Sequence, residues 1–144
     1  MKYQWSDSIE GLDWRELANL YERAPLAKKD PSRLQTAFSN SMFRVFVRDD
    51  QRIIGAGRAL ADGSDCSYIC DVALLPEYQG EGLGKAIVNK LIELSAEHKK
   101  IILYCVPGKE GFYKSLGFKR MNTALAMFQN ESVYIERGYI STDD

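Results

Sequence analysis

Histidine is nearly absent from this 144-residue chain, with His98 the single example, and cysteine is scarce and odd in number. Cys66, Cys70 and Cys105 with one histidine cannot make the four Cys/His ligands of a structural zinc, so no metal site is expected. All three cysteines sit inside apolar runs and read as reduced core residues. Long hydrophobic runs and lipid-anchor motifs are missing too, and the polar start MKYQWSDSIE does not resemble a signal peptide. The expectation is a cytoplasmic protein that does not engage a membrane. An excess of either charge is also lacking. With 19 Lys and Arg against 20 Asp and Glu, the basic residues scattered, nucleic acid is not an expected partner. Repeats, linkers and low-complexity segments are absent, so one domain over residues 1–144 is expected, large enough to bury a core.

What is present reads in order as short alternating elements. Lys2 to Trp5 suits a first strand, and Leu12 to Arg23 a helix with Leu12, Leu17, Leu20 and Tyr21 inward. Asp30-Pro31 is a helix start, with Asp as cap and Pro in the first turn; that helix runs through Leu34, Ala37 and Phe38. Met42 to Arg48 alternates, Asp49-Asp50-Gln51 turns, and Arg52 to Ala61 is a second strand whose Gly55 and Gly57 imply close approach of a backbone or ligand. After the Asp62-Gly63-Ser64 turn, Cys66 to Leu75 is read as a strand with Tyr68, Cys70, Val72 and Leu74 on one face and Ile69, Asp71, Ala73 and Leu75 on the other. Gly82 to Glu97 forms an amphipathic helix, and Ile101 to Val106 a strand covered on both faces. Strand, helix and strand in this order imply a right-handed parallel crossover. Lys109 to Leu116 is a short helix; Phe118–Met121 and Ala124–Phe128 suit an antiparallel pair, and a tail from Gln129 packs through Val133, Tyr134 and Ile135.

The segment with the most chemistry is Gln79-Gly80-Glu81-Gly82-Leu83-Gly84-Lys85, placed between a strand ended by Pro76 and a helix. Amides without intrahelical partners converge there at the positive end of a helix dipole, which is an anion site made of backbone. Spacing excludes two familiar phosphate loops. A triphosphate loop needs Gly-Lys followed by Ser or Thr, and Gly84-Lys85 is followed by Ala86; the dinucleotide pattern fails at Lys85 or Ile87.

Gln79, Gly82 and Gly84 fit Gln-x-x-Gly-x-Gly, and Phe112-Tyr113 with Gly117-Phe118 follows at the expected interval. In these two motifs the chain resembles the GNAT superfamily of acyl-CoA-dependent N-acyltransferases, over about residues 70–118. The resemblance implies an α/β (α+β) fold: a mixed, mostly antiparallel central sheet, splayed where a parallel strand pair separates, with flanking helices. Residues 1–65 would supply the first strand, helix pair and hairpin strands, 66–118 the acetyl-CoA-binding core and 119–144 the closing strands and tail. It implies acetyl-CoA as acetyl donor, with no metal: Ala73, Leu74 and Leu75 along the pantetheine, Gln79 to Lys85 (Gly80, Glu81, Gly82, Leu83 and Gly84 included) on the pyrophosphate, and Phe112 and Tyr113 nearby. Val106-Pro107-Gly108 departs from the asparagine that many members place before the second motif.

In that setting Tyr113 matches the tyrosine assigned as acid near the CoA sulfur. Asp71, a carboxylate among apolar neighbours, is the candidate base, directly or through water, or the anchor of a cationic amine; pairing with Arg44, Arg58 or a backbone turn is the structural alternative. Phe38, Tyr68, Asp71 and Tyr104 are candidates for an acceptor pocket. The expected function is direct transfer from acetyl-CoA to the primary amine of a small molecule in a ternary complex. A protein or peptide acceptor and a non-catalytic acyl-CoA sensor are the alternatives. Proteins of this kind are often homodimers, so a homodimer is an expected partner.

Overall fold

A computed structural model describes residues 2–142. The backbone gathers into two compact units, one ending at Leu103 and the other starting at Tyr104. The first unit holds a five-stranded sheet in the order β1 (Tyr3–Ser6), β2 (Phe43–Asp49), β3 (Arg52–Ala61), β4 (Cys66–Leu74) and β5 (Lys100–Ile102). The first four are successively antiparallel, while β4 and β5 run parallel. Three helices accompany it: α1 (Trp14–Arg23), α2 (Pro31–Ser39) and α3 (Leu83–Leu94). The result is the mixed, mostly antiparallel sheet with flanking helices that the motifs implied. No helix of the described residues is long and apolar enough to cross a membrane.

Local chemistry sets these elements. The Asp13 carboxylate accepts from the amides of Arg15 and Glu16 and starts α1, and Asp30 does the same for Ser32 at α2 ahead of Pro31. Such caps contribute about 1 kcal/mol each. The β2–β3 turn is made without glycine, with Asp50 and Gln51 both left-handed. At the next hairpin the Asp62 carboxylate accepts from the amides of Ser64, Asp65 and Cys66.

The sheet is covered on both faces. Phe46 of β2 stacks on Phe38 of α2, which also meets Trp14 and Tyr21 of α1. Tyr21, Phe38 and Phe46 are fully buried there, each contributing roughly 1.5–3 kcal/mol from apolar burial. The opposite face carries α3 through Ile87, Val88 and Leu91. Gly55 and Gly57 are explained on that side. A Cβ on Gly55 would stand 2.8 Å from Ile87, and one on Gly57 2.9 Å from Leu91. The close approach is that of helix side chains, not of a ligand. The buried Ser67 and Ser95 hydroxyls lie 2.8 Å apart, and Ser95 donates to the Leu91 carbonyl, so Ser67 must be the donor between them.

The alternation expected for β4 fails at Asp71. Asp71 and Val72 together stand opposite the single residue Gly57, and Asp71 takes φ 55°, so the strand carries a β-bulge. The extra residue inverts the facing of the strand. Ser67 faces α3 before the bulge, and Val72 and Leu74 face it afterwards. Asp71 therefore turns to the α1–α2 side, away from the face expected for Ile69.

β5 is also shorter than the apolar run suggested, ending at Ile102, with Tyr104 exposed. In the second unit, α4 (Glu110–Lys114) and α5 (Glu131–Glu136) form, but the expected strand pair over 118–128 does not. Leu125 and Met127 are fully exposed, so that segment has no covered face to hold a strand pair. The tail from Gln129 instead forms α5, whose Tyr134 stacks on Phe128. Expectations for Asp143 and Asp144 lie outside the described residues.

Candidate active site

Between β4 and α3 the chain passes through a short 3-10 turn, Pro76–Tyr78, and then the glycines. Gly80 and Gly82 have φ of 91° and 84°, the left-handed conformation that glycine adopts without strain. A Cβ added at either would meet nothing within 4 Å, so the main chain lies open to a solute. The first bond of the helix runs from the Ala86 amide to the Gly82 carbonyl, leaving the amides of Leu83, Gly84 and Lys85 without intrahelical acceptors. A bulky anion seated there meets amide hydrogens at the positive end of a twelve-residue helix.

The loop is fastened from several sides. The Gln79 side-chain amide donates to the Leu74 carbonyl at 3.2 Å, tying the turn to the strand end. Glu77 receives Arg23 and Arg52 at 2.8 and 3.1 Å, Tyr78 donates to Asp49, and Tyr3 donates to Glu81. Glu77, inside this fork, has its carboxyl lowered, first by its own amide and then by the two arginines.

The neighbouring edge of β4 is open. β5 pairs with Cys66 to Tyr68 and then stops, so β4 from Ile69 to Leu74 has no strand on that side within this unit. The Leu75 amide points to Ile54 of β3, so the Leu74 carbonyl of the same peptide points to the open edge, where Gln79 reaches it. An unpaired strand edge leading into an anion-binding turn suits a ligand with an amide-containing arm and a phosphate end. Ala73, Leu74 and Leu75 have buried side chains, which leaves their main chain as the part that can contact it.

Asp71 is occupied. Its oxygens accept from Lys29 Nζ at 3.1 Å and Arg58 Nε at 2.8 Å, and its carbonyl accepts from the Tyr21 hydroxyl. Arg58 also donates to Ser41 and lies over the Phe38 ring. Two cations around one carboxylate leave no negative charge for an ammonium ion to seek, so the arrangement does not suit Asp71 as an anchor, and both of its oxygens are already engaged. The alternative foreseen for Asp71, pairing with Arg58, is the one found. Arg44 instead donates to the neutral carbonyls of Asp7 and Phe38, which do not offset its charge. Lys29 was not foreseen, because it is 42 residues from Asp71 in the sequence. Cys70 beside it has its thiol pushed up to about 11 by burial.

Of the other expected acceptor residues, Phe38 is wholly buried and presents no surface to a ligand, which corrects its placement in a pocket. Tyr68 is half-buried on β4. Tyr104 belongs to the second unit, where it packs edge-on against Phe128 and Tyr139 with about half its surface exposed. In that unit Tyr113 lies on α4 with its ring edge-on to Phe112 and Phe118. Burial, with the Cys105 thiol adding to it, pushes the Tyr113 phenol up to about 12. The phenol therefore stays neutral over the ordinary pH range.

The sequence matches the Acetyltransferase (GNAT) family over residues 9–118, a stretch running from before α1 through the second motif. The chain belongs to the GNAT family of acetyltransferases. It is 31% identical over 117 residues to the uncharacterized N-acetyltransferase ycf52 of Pyropia yezoensis, covering 77% of this chain and 67% of that protein. It is 32% identical to serotonin N-acetyltransferase 2, chloroplastic, of Oryza sativa subsp. japonica, over 77% of this chain and 58% of that one. A histone acetyltransferase of Glycine max is 31% identical over 75% of this chain and 52% of its own length. Among solved structures, a GNAT-family acetyltransferase from Streptococcus pneumoniae TIGR4 superposes with TM-score 0.72 over 88% of this chain and 94% of that one, at 22% identity, and so shares the fold. The GNAT family generally uses acetyl-CoA, and the open glycine turn with its three spare helix amides fits a coenzyme pyrophosphate.

Proposed function

We propose that this GNAT binds acetyl-CoA along the β4 edge and the glycine turn and transfers the acetyl group directly to the primary amine of a small molecule. The observation that carries this reading is the open main chain at Gly80 and Gly82, continuous with the edge of β4 that no strand of its own unit pairs. Bound acetyl-CoA supplies an activated thioester, from which the acceptor nitrogen takes the acetyl carbon as the carbon–sulfur bond breaks. The amides of Leu83, Gly84 and Lys85 hold the pyrophosphate, and Gln79 keeps the turn in register with the strand end. Tyr113 keeps its proton at Oη and can give it to the departing sulfur, while the attacking nitrogen sheds a proton on becoming an amide, which through solvent restores the phenol. The ammonium of the acceptor loses its proton to water before attack, since Asp71 is held by its two cations.

A small acceptor is favoured over a histone-like tail because the side chains around the β4 bulge are cationic, and a tail carrying many lysines is repelled more strongly than a single ammonium. The relatives' names cover both kinds of acceptor, so they do not decide the point. The test is release of free CoA thiol from acetyl-CoA across a panel of polyamines, arylalkylamines, amino sugars, amino acids and short peptides. Saturable turnover with a small amine supports the reading. Turnover confined to peptides would move the acceptor to protein, and saturable acetyl-CoA binding without any turnover would make the chain a sensor.

A further inference from the structure

The α1–α2 face of the sheet carries more positive charge around the β4 bulge than its partners cancel. Lys29 and Arg58 share the single carboxylate of Asp71. Arg44 stands directly opposite Arg58 in the β2–β3 register and makes no ion pair among the described residues; it meets Asp7 through the main-chain carbonyl. Like charges placed directly across a strand pair are unfavourable, so this pair stands at a cost that an anion would relieve. Among the described residues no other carboxylate makes an ion pair with Lys29, Arg44 or Arg58. Tyr21 and Cys70 are uncharged at neutral pH because burial pushes both upward. Glu16, which α1 also turns to the sheet, accepts the Ile53 amide at the far end of β3.

These cations are half-hidden, not dissolved in bulk water. The side chains of Lys29 and Arg58 are 28% and 14% exposed, enough for a solute to reach and too little for water to screen them fully. The bulge also lies where β4 has lost β5, about 10 Å upstream of Leu74 at ~3.3 Å per residue, within reach of an acceptor whose amine approaches the thioester. Neither an uncharged arylalkylamine side chain nor a second ammonium group complements this surface.

Building on the amine acetyltransferase reading above, we propose that the acceptor carries an anionic group, carboxylate or phosphate, close to its amine, and that Lys29, Arg44 and Arg58 bind that group. The β4 bulge then has a purpose: it turns Asp71 to the α1–α2 face, where its carboxylate fixes Lys29 and Arg58 while the anion takes up the remaining positive charge. Asp71 is a positioning residue in this scheme.

The experiment compares acceptors differing in one group: tyrosine with tyramine, tryptophan with tryptamine, and glucosamine 6-phosphate with glucosamine. Each is assayed with the full chain and acetyl-CoA, and its binding to the CoA-loaded protein is measured by calorimetry. A charged hydrogen bond corresponds to roughly tenfold or more in affinity, so the anionic member of at least one pair should be favoured at least about tenfold in both kcat/KM and binding. The first two pairs report a carboxylate and the third a phosphate. Lys29→Gln, on the loop between α1 and α2, should weaken the anionic member about tenfold more than its uncharged partner, and Lys29→Arg should restore it. If uncharged members bind and react as well, or if Lys29→Gln weakens both equally, the proposal is wrong while the acetyltransferase reading stands. If no amine of any class releases CoA, both fail.

Discussion

Gly82 is the position at which the phosphate cradle can be tested with the fold held constant. Its φ of 84° means that any L-residue placed there is strained, at a cost of about 1–2 kcal/mol. Gly82→Ala and Gly82→Glu share that cost, and the Cβ they have in common meets nothing within 4 Å. Both variants should stay folded, with Tm lowered by roughly 2–8 °C. They differ by one negative charge at the mouth of the turn. At about 6 Å from a phosphate charge, with an effective dielectric between about 20 and 80, the repulsion is ~0.7–2.8 kcal/mol per phosphate charge. Gly82→Glu should therefore bind acetyl-CoA about 3- to 100-fold more weakly than Gly82→Ala in calorimetric titration. The gap should narrow as salt rises from about 0.1 M toward 1 M, where the Debye length falls from ~10 to ~3 Å. Equal Kd values for the two variants, or a gap indifferent to salt, would refute the placement of pyrophosphate at this helix end.

Other consequences can be checked independently. Tyr113→Phe should lower kcat by about 10²-fold while leaving the Kd for acetyl-CoA unchanged; because the phenol is raised to about 12, the wild-type rate should show no loss from this group up to about pH 10. In urea denaturation, Ser95→Ala should cost about 1–3 kcal/mol by stranding the buried Ser67 hydroxyl, and Ser67→Ala less, about 0.5–1.5 kcal/mol, because Ser95 keeps its bond to Leu91. Gly57→Ala should cost about 1–3 kcal/mol, since its Cβ presses on Leu91 and Ile87 in a full core. The amides of Asp65, Ser64 and Cys66 draw the Asp62 carboxyl down to about 2. Its folded value lies below its unfolded one, so its contribution is complete above about pH 4 and fades as pH falls through about 2; the stability gap between wild type and Asp62→Ala should close over that interval.

Much of this architecture was legible because local chemistry wrote it. Asp30-Pro31 announced a helix start, as found, and the glycine turn was expected between a strand ended by Pro76 and a helix, where it lies. The hairpin at Asp62 depends on residues within four positions, and short-range patterns record such contacts well. What escaped was set from a distance. The bulge at Asp71 left no mark in the alternation of Cys70-Asp71-Val72, because all three are half-buried and either facing reads plausibly. The Lys29 contact joins a loop before α2 to the middle of β4, a pairing that no periodicity encodes. The run from Ile101 to Val106 looked like a long strand, yet pairing stops at Ile102, since apolar character alone does not supply a neighbouring edge. Phe38 illustrates the same limit: an aromatic on an amphipathic helix reads alike as pocket wall or core, and here it is core.

Transfer of isotopically labelled acetyl from acetyl-CoA to a small primary amine, followed by mass spectrometry together with titration of the thiol released, tests the central claim most directly. The account predicts one labelled N-acetyl amine for each CoA thiol, with the yield falling in parallel with acetyl-CoA binding in Gly82→Glu. Saturable binding of acetyl-CoA with no labelled amine from any acceptor class would contradict it.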